Sequence, residues 1–325
     1  MLNQENRNGD FSDLRLIRPA LPETSLDEVD TSIELFGHHL SAPLLIEAMT
    51  GGTERGARIN EALSSIASRL NIGFAAGSCS IVAEEPESLN SFAIARKVNK
   101  SGLVIANCSP TTPIPAIKKT VGATKADALQ IHLNAVQEMS MKEGDRDFRW
   151  YEKIAQIKLQ VSVPIIIKEV GFGLDRTSVK KLTQLGIRNF DTGGLGGTDF
   201  ARIEAERGGD SSFVDLGLST LESLYDLSDI PGITLIASGG IRTPLDAFKC
   251  LSLGAKAVGI AGPVLRILEA EGAEACEEWL RSFIEELRKL FCLYGCRKVS
   301  DSSKLEKVVT GDLESFVSQR VLRHG

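Results

Sequence analysis

The chain has 325 residues, of which 42% are hydrophobic and 25% are charged, and this composition is ordinary for a globular protein with a sizeable core. A net charge of -6, with no basic run between aromatic residues, argues against a nucleic-acid-binding surface. No apolar run reaches the roughly 18 residues that a membrane span requires, and the N-terminal "MLNQENRNGDF" lacks the apolar centre of a signal peptide. We therefore expect a cytoplasmic protein without a membrane or nucleic-acid partner.

Residues 1 to about 40 are mostly polar and predict an N-terminal extension that packs on the main fold. Eight apolar runs follow, and amphipathic stretches that predict helices separate them. In chain order the runs are "APLLIEAM", "NIGFAAG", "SGLVIAN", "ADALQIHL", "VPIIIKEV", "IRNFDTGG", "ITLIASGG" and "AKAVGIAG". Runs that are apolar throughout, rather than alternating, are typical of parallel strands buried on both faces.

This alternation predicts a parallel (β/α)8 barrel, also called a TIM barrel, with its strands between about residues 44 and 261. An open, doubly wound sheet is the alternative. No low-complexity segment and no Pro- or Ser-rich hinge divides the chain, so we expect residues 1–325 to form a single domain. The six scattered cysteines form no Cys-x-x-Cys motif and are typical of small buried apolar residues in a reducing compartment.

Four polar residues are concentrated at the end of the run "ALQIHLNAVQE", namely His132, Asn134, Gln137 and Glu138. In a (β/α)8 barrel the chemistry lies at the C-terminal ends of the strands. His132 and Asn134 are two residues apart and should point the same way, while Gln137 and Glu138 should begin the following loop. Glu138 is the best Mg²⁺ candidate, since Mg²⁺ often takes one carboxylate plus water and phosphate oxygens. The alternative for His132 is a hydrogen-bonded core histidine.

Glycine pairs follow the last two predicted strands. Gly239-Gly240 and Ala261-Gly262 each precede a predicted helix, and loops in these positions of a barrel commonly bind phosphate through backbone N–H groups. Tight turns are the alternative explanation. The preceding run "DTGGLGGTDFARIE" adds Thr198 as a phosphate donor and Arg202 as either an anion partner or a surface arginine.

Lys168 ends the apolar run "VPIIIK". A cation at the barrel mouth would stabilise negative charge on a reduced cofactor. A lysine that extends to solvent is the alternative.

Taken together, these segments resemble the type 2 isopentenyl diphosphate isomerases. The matching stretches fall in order from about Leu14 to the C-terminus and are "AMTGGTERGARIN", "ALQIHLNAVQE", "GDRDF", "IIIKEVGFG", "GGLGGTDFARIE", "IASGGIR" and "GAKAVGIAG". The resemblance implies an FMN-dependent barrel that interconverts isopentenyl diphosphate and dimethylallyl diphosphate without net redox change. It also implies a flavin kept reduced by NAD(P)H, Mg²⁺ on the substrate diphosphate, proton movement at the flavin N5 atom, and a homotetramer.

The resemblance also implies roles for individual residues. Along the flavin ring it places Met49, Thr50 and Gly51, with Ser78 and Asn107 hydrogen-bonded to the ring and Lys168 at its N1–C2 edge. At the ribityl phosphate it places Thr198, Gly240, Arg242, Ala261 and Gly262. At the substrate it places His132, Asn134 and Gln137, with Glu138 as the Mg²⁺ ligand.

The chain departs from the family pattern in three places. The family usually carries an N-terminal Arg-Lys-x-x-His segment that contacts the diphosphate, and here "MLNQENRNGDF" offers only Arg7. We therefore expect a raised KM for isopentenyl diphosphate, which an Arg-Lys-x-x-His helix added ahead of Met1 would lower. Glu47 stands where the family often has Asn, which changes the charge near the flavin. Cys108 and Ser109 replace the usual Ile-Gly or Leu-Gly, which we expect the fold to tolerate.

Two other functions fit parts of the sequence. An FMN-dependent 2-hydroxy acid oxidase or dehydrogenase shares the late phosphate motif, but it needs a histidine base beside an arginine near the seventh strand. The run "ASGGIRTP" offers Arg242 and no histidine. The other possibility is an FMN-binding relic without the diphosphate arm, which would be yellow when purified but inactive.

Overall fold

The computed structural model describes residues 10–320. Arg7, the one basic residue of the N-terminal segment expected near the diphosphate, lies outside these residues. The strands are β1 (Leu14–Leu16), β2 (Ile33–Leu35), β3 (His38–Leu40), β4 (Leu44–Ile46), β5 (Gly73–Ser78), β6 (Val104–Cys108), β7 (Ala128–Leu133), β8 (Ile165–Glu169), β9 (Asn189–Asp191), β10 (Thr234–Ser238), β11 (Ala257–Ile260) and β12 (Lys307–Val309).

One or two helices follow each strand from β4 to β11. They are α1 (Glu54–Leu70), α2 (Asn90–Val98), α3 (Ile114–Thr124), α4 (Ala135–Ser140), α5 (Tyr151–Gln160), α6 (Arg176–Thr183), α7 (Phe200–Glu206), α8 (Thr220–Leu227), α9 (Pro244–Ser252), α10 (Gly262–Glu271), α11 (Ala273–Leu293) and α12 (Gly311–Arg320). Short 3-10 turns cover Asp10–Asp13, Leu26–Glu28, Ser80–Ala83, Pro86–Leu89 and Val299–Lys304.

Strands β4 to β11 form a closed barrel in chain order. Each strand pairs in parallel with the next, and β11 returns to pair with β4 through Val258 opposite Leu44. The predicted (β/α)8 barrel is therefore confirmed, its eight strands are the eight apolar runs, and the open sheet is excluded. Every residue of β4, β6, β8 and β11 is buried, because helices cover the outside of the barrel and side chains fill the inside.

The described part of the N-terminal extension packs on the barrel, as predicted. Strands β2 and β3 form a hairpin whose turn, Phe36-Gly37, has positive φ at both residues, as a tight hairpin turn requires. Strand β1 pairs antiparallel with β12, with Leu14 opposite Val309. Between residues 10 and 320, no helix is long and apolar enough to cross a membrane.

Arg96, on α2, connects loops at the N-terminal end of the barrel by hydrogen bonds. The Arg96 guanidinium donates to the backbone carbonyls of Thr124, Lys125, Asn99 and Gly102 over 2.8–3.0 Å and to Asp127 over 2.7 Å. These partners lie at the end of α2, the end of α3 and the start of β7. Only a planar guanidinium has enough N–H groups for all five partners.

We expect Arg96→Lys to lower the free energy of unfolding by about 2–4 kcal/mol, because an ammonium leaves buried carbonyls without donors. Urea denaturation would measure the change. The matched control is Arg58→Lys, since Arg58 is 68% exposed and makes one ion pair with Glu54; this substitution should change stability by less than about 0.5 kcal/mol. Equal effects of the two substitutions would contradict the role given to Arg96.

Candidate active site

A buried ammonium group lies near the C-terminal end of the barrel interior. Lys168 Nζ, on β8, lies 2.8 Å from Asp191 Oδ2 at the end of β9 and 3.3 Å from Glu47 Oε2 just after β4. It also donates to Ser238 Oγ at the end of β10 over 2.9 Å. Because β4 and β8 are not neighbours, the contact with Glu47 crosses the barrel. The side chain is 9% exposed, so the alternative of a lysine that extends to solvent is wrong.

A chain of amide hydrogen bonds connects this ammonium cluster to His132. Gln130 Nε2 donates to Glu47 Oε2 over 3.2 Å and to Asp191 Oδ2 over 3.4 Å. Gln130 Oε1 accepts from Asn107 Nδ2 over 3.3 Å. Asn107 Oδ1 lies 2.7 Å from His132 Nδ1.

The carboxylate end fixes the direction of every bond in this chain. A carboxylate that pairs with Lys168 only accepts, so the Gln130 nitrogen donates to it and the Gln130 oxygen accepts from Asn107. Asn107 Oδ1 then accepts from His132, which places the proton of the neutral imidazole on Nδ1. Within the described residues nothing hydrogen-bonds to His132 Nε2, so this atom is an available acceptor.

The electrostatics of the site keep His132 neutral. Burial, together with the positive charge of Lys168, lowers the pKa of His132 to about 4. The hydrogen bond at Nδ1 fits the alternative of a hydrogen-bonded core histidine. Nε2 has no hydrogen-bond partner among the described residues, so that alternative does not account for the whole side chain. His132 therefore presents a neutral imidazole with a free lone pair at pH 7.

Gln137 and Glu138 lie in the short helix α4 and not at the start of a loop, so that prediction was wrong. The segment contains no glycine or proline and makes a helical turn directly after β7, with Asn134 in the position before its first residue. Asn134 Nδ2 donates to Glu138 Oε1 over 2.8 Å, since residues four apart share one face of a helix. Asn134 thus pairs with Glu138 and His132 pairs with Asn107. The Gln137 side chain makes no hydrogen bond within residues 10–320.

Both oxygens of the Glu138 carboxylate accept hydrogen bonds. Its Oε2 atom accepts from the backbone N–H of Asp145 over 2.8 Å. Residues 10–320 contain no group of three or more His, Cys, Asp or Glu side chains arranged to hold a metal ion. A zinc site of that kind is therefore not formed there, whereas a single carboxylate suits Mg²⁺ with water and phosphate oxygens as its other ligands.

The glycine loops after β9 and β10 pack backbone against backbone. Gly239 and Gly240 have φ of 102° and 72°, and a Cβ on Gly240 would lie 3.0 Å from the carbonyl carbon of Gly196. Arg242 joins the two loops, since its guanidinium donates to Gly240 O over 3.2 Å and to Gly196 O over 2.8 Å. Arg242 therefore shapes the loops in addition to any charge that it offers an anion.

Helix α10 completes a cradle that fits a phosphate. Its first residue is Gly262, where a side chain would meet nothing within 4 Å, and no side chain caps its first turn. The free N–H groups of such a turn attract anions. Thr198, half-buried, follows the glycines of the neighbouring loop. The open helix start after β11 and the closely packed glycines after β9 and β10 are therefore the candidate groups for binding a phosphate.

The loop after β4 lies against the end of β5. Met49, Thr50 and Gly51 are half-buried, and Thr50 O accepts from the backbone N–H of Gly77 over 2.8 Å. A Cβ on Gly51 would lie 2.0 Å from the Phe92 ring, so only glycine fits.

Hydroxyl groups line the ends of β5 and β6. Ser78 Oγ lies 2.9 Å from Ser80 Oγ, which in turn lies 2.6 Å from Thr112 Oγ1. At the departure from the family pattern, Cys108 is buried and the Ser109 N–H donates to Thr112 over 3.1 Å.

Sequence reasoning missed three members of the ammonium cluster. Gln130, Asp191 and Ser238 are buried polar residues in β7, β9 and β10. Each interrupts an otherwise apolar run, which is the signal that singled out Lys168. Glu47 was noted as a departure, but its partners lie across the barrel and could not be assigned from the sequence.

The chain is similar to known flavoproteins and isomerases. Residues 87–307 match the family model described as FMN-dependent dehydrogenase. The isopentenyl-diphosphate delta-isomerase of Limosilactobacillus reuteri subsp. reuteri is 40% identical, over 99% of this chain and 94% of that protein. The protein of the same name from Nocardia farcinica is 41% identical, over 96% of this chain and 87% of that one.

The chain belongs to the isopentenyl-diphosphate delta-isomerase family. Its match to an FMN-dependent family model identifies the flavin-dependent type 2, as the sequence motifs predicted. A solved structure of a mandelate oxidase mutant with an FMN adduct has 17% sequence identity and a TM-score of 0.66, over 92% of this chain and 89% of that one. At this identity the similarity shows the shared fold and carries no support for oxidase activity.

We expect His132 to remain neutral, with its proton on Nδ1, until the pH falls towards about 4. ¹⁵N NMR of histidine-labelled protein would measure tautomer and titration, and His132→Gln would assign the signal. Asn107→Asp should raise the pKa of His132, because a carboxylate 2.7 Å from Nδ1 stabilises the imidazolium. Asn134→Asp is the control, since Asn134 bonds to Glu138. A wild-type signal that titrates near pH 6.5, the ordinary value for histidine, would contradict this assignment.

We expect Glu169→Gln to reduce the loss of stability between about pH 5 and pH 8, the range between the ordinary and the raised pKa of this carboxyl. Burial raises the pKa of Glu169 from 4.5 to about 8, so the folded state retains a proton that the unfolded state has lost. The unfolding free energy therefore falls as pH rises through this window, by up to about 1.4 kcal/mol per unit. Urea denaturation at several pH values would measure the slope. The exposed Glu54→Gln is the control, and an unchanged slope in Glu169→Gln would refute the shift.

Proposed function

We propose that the chain is an FMN-dependent isomerase that interconverts isopentenyl diphosphate and dimethylallyl diphosphate. One observation carries the proposal. The same end of the barrel has glycine loops that could bind a phosphate and a polar group that makes no hydrogen bonds within the described residues. That group consists of His132 Nε2 and the Gln137 amide. The family membership supports the same substrates, since relatives 40% identical over nearly the whole chain carry this name.

The cradle fits the phosphate of FMN. The residues that would hold it are Thr198, Gly240, Arg242, Ala261 and Gly262. The residues that would contact the flavin ring are Met49, Thr50, Gly51, Ser78, Asn107 and Lys168. When bound and reduced, FMN would supply the proton-transfer chemistry beside the substrate double bond. The Lys168 ammonium would stabilise negative charge on the cofactor.

The side chains that follow β7 would hold the substrate. His132, Asn134 and Gln137 are the proposed substrate-facing groups. Isomerisation adds one proton to the terminal carbon of the alkene and removes another from the allylic carbon next to the double bond, so the site would need neutral groups beside the uncharged hydrocarbon part of the substrate. A neutral His132 with its proton fixed on Nδ1 satisfies this requirement, and the Gln137 amide adds a donor and an acceptor.

Glu138 would bind Mg²⁺ together with the substrate diphosphate, with Asn134 holding the carboxylate in place over 2.8 Å. NAD(P)H is the proposed reductant of the flavin, and a homotetramer is the proposed assembly.

One assay tests the proposal. FMN-reconstituted protein, NADPH, Mg²⁺ and isopentenyl diphosphate would be incubated without oxygen and dimethylallyl diphosphate would be measured. We expect product only when all components are present. A yellow protein that forms no product would identify the FMN-binding relic, and FMN-dependent oxidation of a 2-hydroxy acid would identify the oxidase.

We expect Gln137→Ala to lower kcat strongly while FMN affinity changes by less than about twofold, because the amide faces the substrate and not the cofactor. Steady-state kinetics and FMN titration would separate the two effects. A variant that lost FMN but kept its turnover once resaturated would contradict the role.

We expect Glu138→Gln to raise the Mg²⁺ concentration needed for half-maximal activity at least tenfold, since an amide replaces the site's one acidic ligand. The control is Glu143→Gln, an exposed carboxylate in the loop after α4. Unchanged Mg²⁺ dependence in Glu138→Gln would remove this residue from the metal site.

A further inference from the structure

The ammonium cluster contains one cation and two carboxyl groups. Both Glu47 and Asp191 lie within 3.3 Å of Lys168 Nζ, and both accept from the same Gln130 amide. Their side chains are 2% and 0% exposed. Two ionised carboxylates at this depth would leave a net negative charge with no counter-ion, which is costly to bury.

The two oxygens of the Glu47 carboxyl group have different surroundings. Its Oε2 atom takes the contacts with Lys168 and Gln130 and accepts from the Ala48 N–H, whereas its buried Oε1 atom has no hydrogen-bond partner. The space that it occupies exists because residue 259 is glycine, where a Cβ would lie 2.4 Å from this oxygen. The site therefore accommodates a carboxyl group of which one oxygen is unsatisfied, as expected of a carboxyl that is not permanently ionised.

We propose that Glu47 shares one exchangeable proton with Asp191 beside Lys168, and that it thereby acts as a positioning residue which sets the charge that this cluster presents to FMN. With the proton bound, the cluster is neutral: one ammonium, one carboxylate and one carboxylic acid. When the proton leaves to solvent, the cluster carries one negative charge. With Gln or Asn at position 47, only the Lys168–Asp191 pair would remain, and it would stay neutral throughout.

The electrostatics agree with this geometry. Burial, and then the Glu47 charge, raises the pKa of Asp191 to about 7. Burial acts in the same direction on Glu47, but Lys168 and hydrogen bonds outweigh it and hold its pKa below the ordinary value. Because the groups share one environment, the raised pKa belongs to the pair.

Three other charges or titrating groups act near the pair. Burial acts to lower the pKa of Lys168, but the two carboxyl groups outweigh it and hold that pKa above its ordinary value. His132 on β7 and Glu169 on β8 both interact with the Lys168 charge. His132 is already neutral in this range, whereas Glu169 loses its own proton at about pH 8 and must be removed from any measurement of the pair.

Infrared difference spectroscopy of the full chain without added FMN tests the shared proton directly. A carboxylic acid has a C=O stretch that a carboxylate lacks, so raising the pH from about 6 to about 9, across the ordinary and raised values, should bleach this signal. On a Glu169→Gln background, the signal that remains should be lost in Glu47→Gln and equally in Asp191→Asn. Loss with either partner is the signature of one shared proton. A signal that survives Glu47→Gln, or that is absent from the Glu169→Gln parent, would overturn the proposal.

The consequence for the cofactor rests on the FMN site proposed above and is read from the reduction potential of bound FMN. On the Glu169→Gln background, Glu47→Gln and its parent should have the same potential at about pH 6, because both clusters are neutral. At about pH 9 the variant should favour reduced over oxidised FMN by roughly tenfold more, the order expected of one nearby charge in a partly buried site. A shift of equal size at both pH values would mean a structural effect only and would overturn the charge role.

Neither measurement uses isomerase turnover, so failure of this inference is distinguishable from failure of the proposed function. Glu47→Asn is the second variant should Glu47→Gln fold poorly, and it should give the same pH-dependent difference. The control Glu54→Gln should match the wild type in both experiments, since Glu54 is 88% exposed on α1.

Discussion

The barrel end depends on how a single ammonium group is kept inside the protein. An isolated lysine charge at the depth of Lys168 would lose its proton or extend to solvent. Here Asp191 on the neighbouring strand β9 and Glu47, which follows β4 across the barrel, both contact it. These contacts tie the ends of β4, β8 and β9 to one point, and Ser238 adds β10. Four strand ends are thereby held at fixed distances from a cation that a flavin would meet.

The same cluster determines the state of a histidine that it does not touch. The amides of Gln130 and Asn107 connect the carboxylates to His132. Because the carboxylates accept, each amide is oriented in turn, and the orientation of Asn107 determines which imidazole nitrogen carries the proton. An amide oriented by one hydrogen bond has no freedom at its other end. A substitution at Glu47 therefore has two separable results, namely a change of charge at Lys168 and a weaker constraint on the direction of the amide chain. Asp191 would still hold the direction, so the chemistry at His132 should tolerate Asn or Gln at position 47 better than loss of Gln130.

The sequence predicted those features that depend on neighbours along the chain. The eight strands were recognisable because each is a short run buried on both faces, and the glycine cradle because Gly239-Gly240 and Gly262 stand at fixed places after such runs. Helix α4 was missed, since six residues are too few for a periodic pattern. The partners of Lys168 and the direction of the amide chain were also beyond prediction. They depend on contacts between different strands, such as the contact of Gln130 with Glu47, 83 residues earlier in the chain, and on which of two amide atoms meets a carboxylate.

The pairing of β1 with β12 has a consequence for how the molecule is made. Leu14 lies opposite Val309, so a strand synthesised among the first pairs with one synthesised among the last. The barrel strands between them pair mostly with sequence neighbours and can assemble while the ribosome is still working, since domains form as their chain emerges. The pairings of β1 with β12 and of β11 with β4 join strands that are far apart in the sequence. Such pairings form slowly, because a large loop must close first. Until β12 leaves the ribosome, β1 has no partner strand, and the leucines that it buries in the folded protein lack that cover.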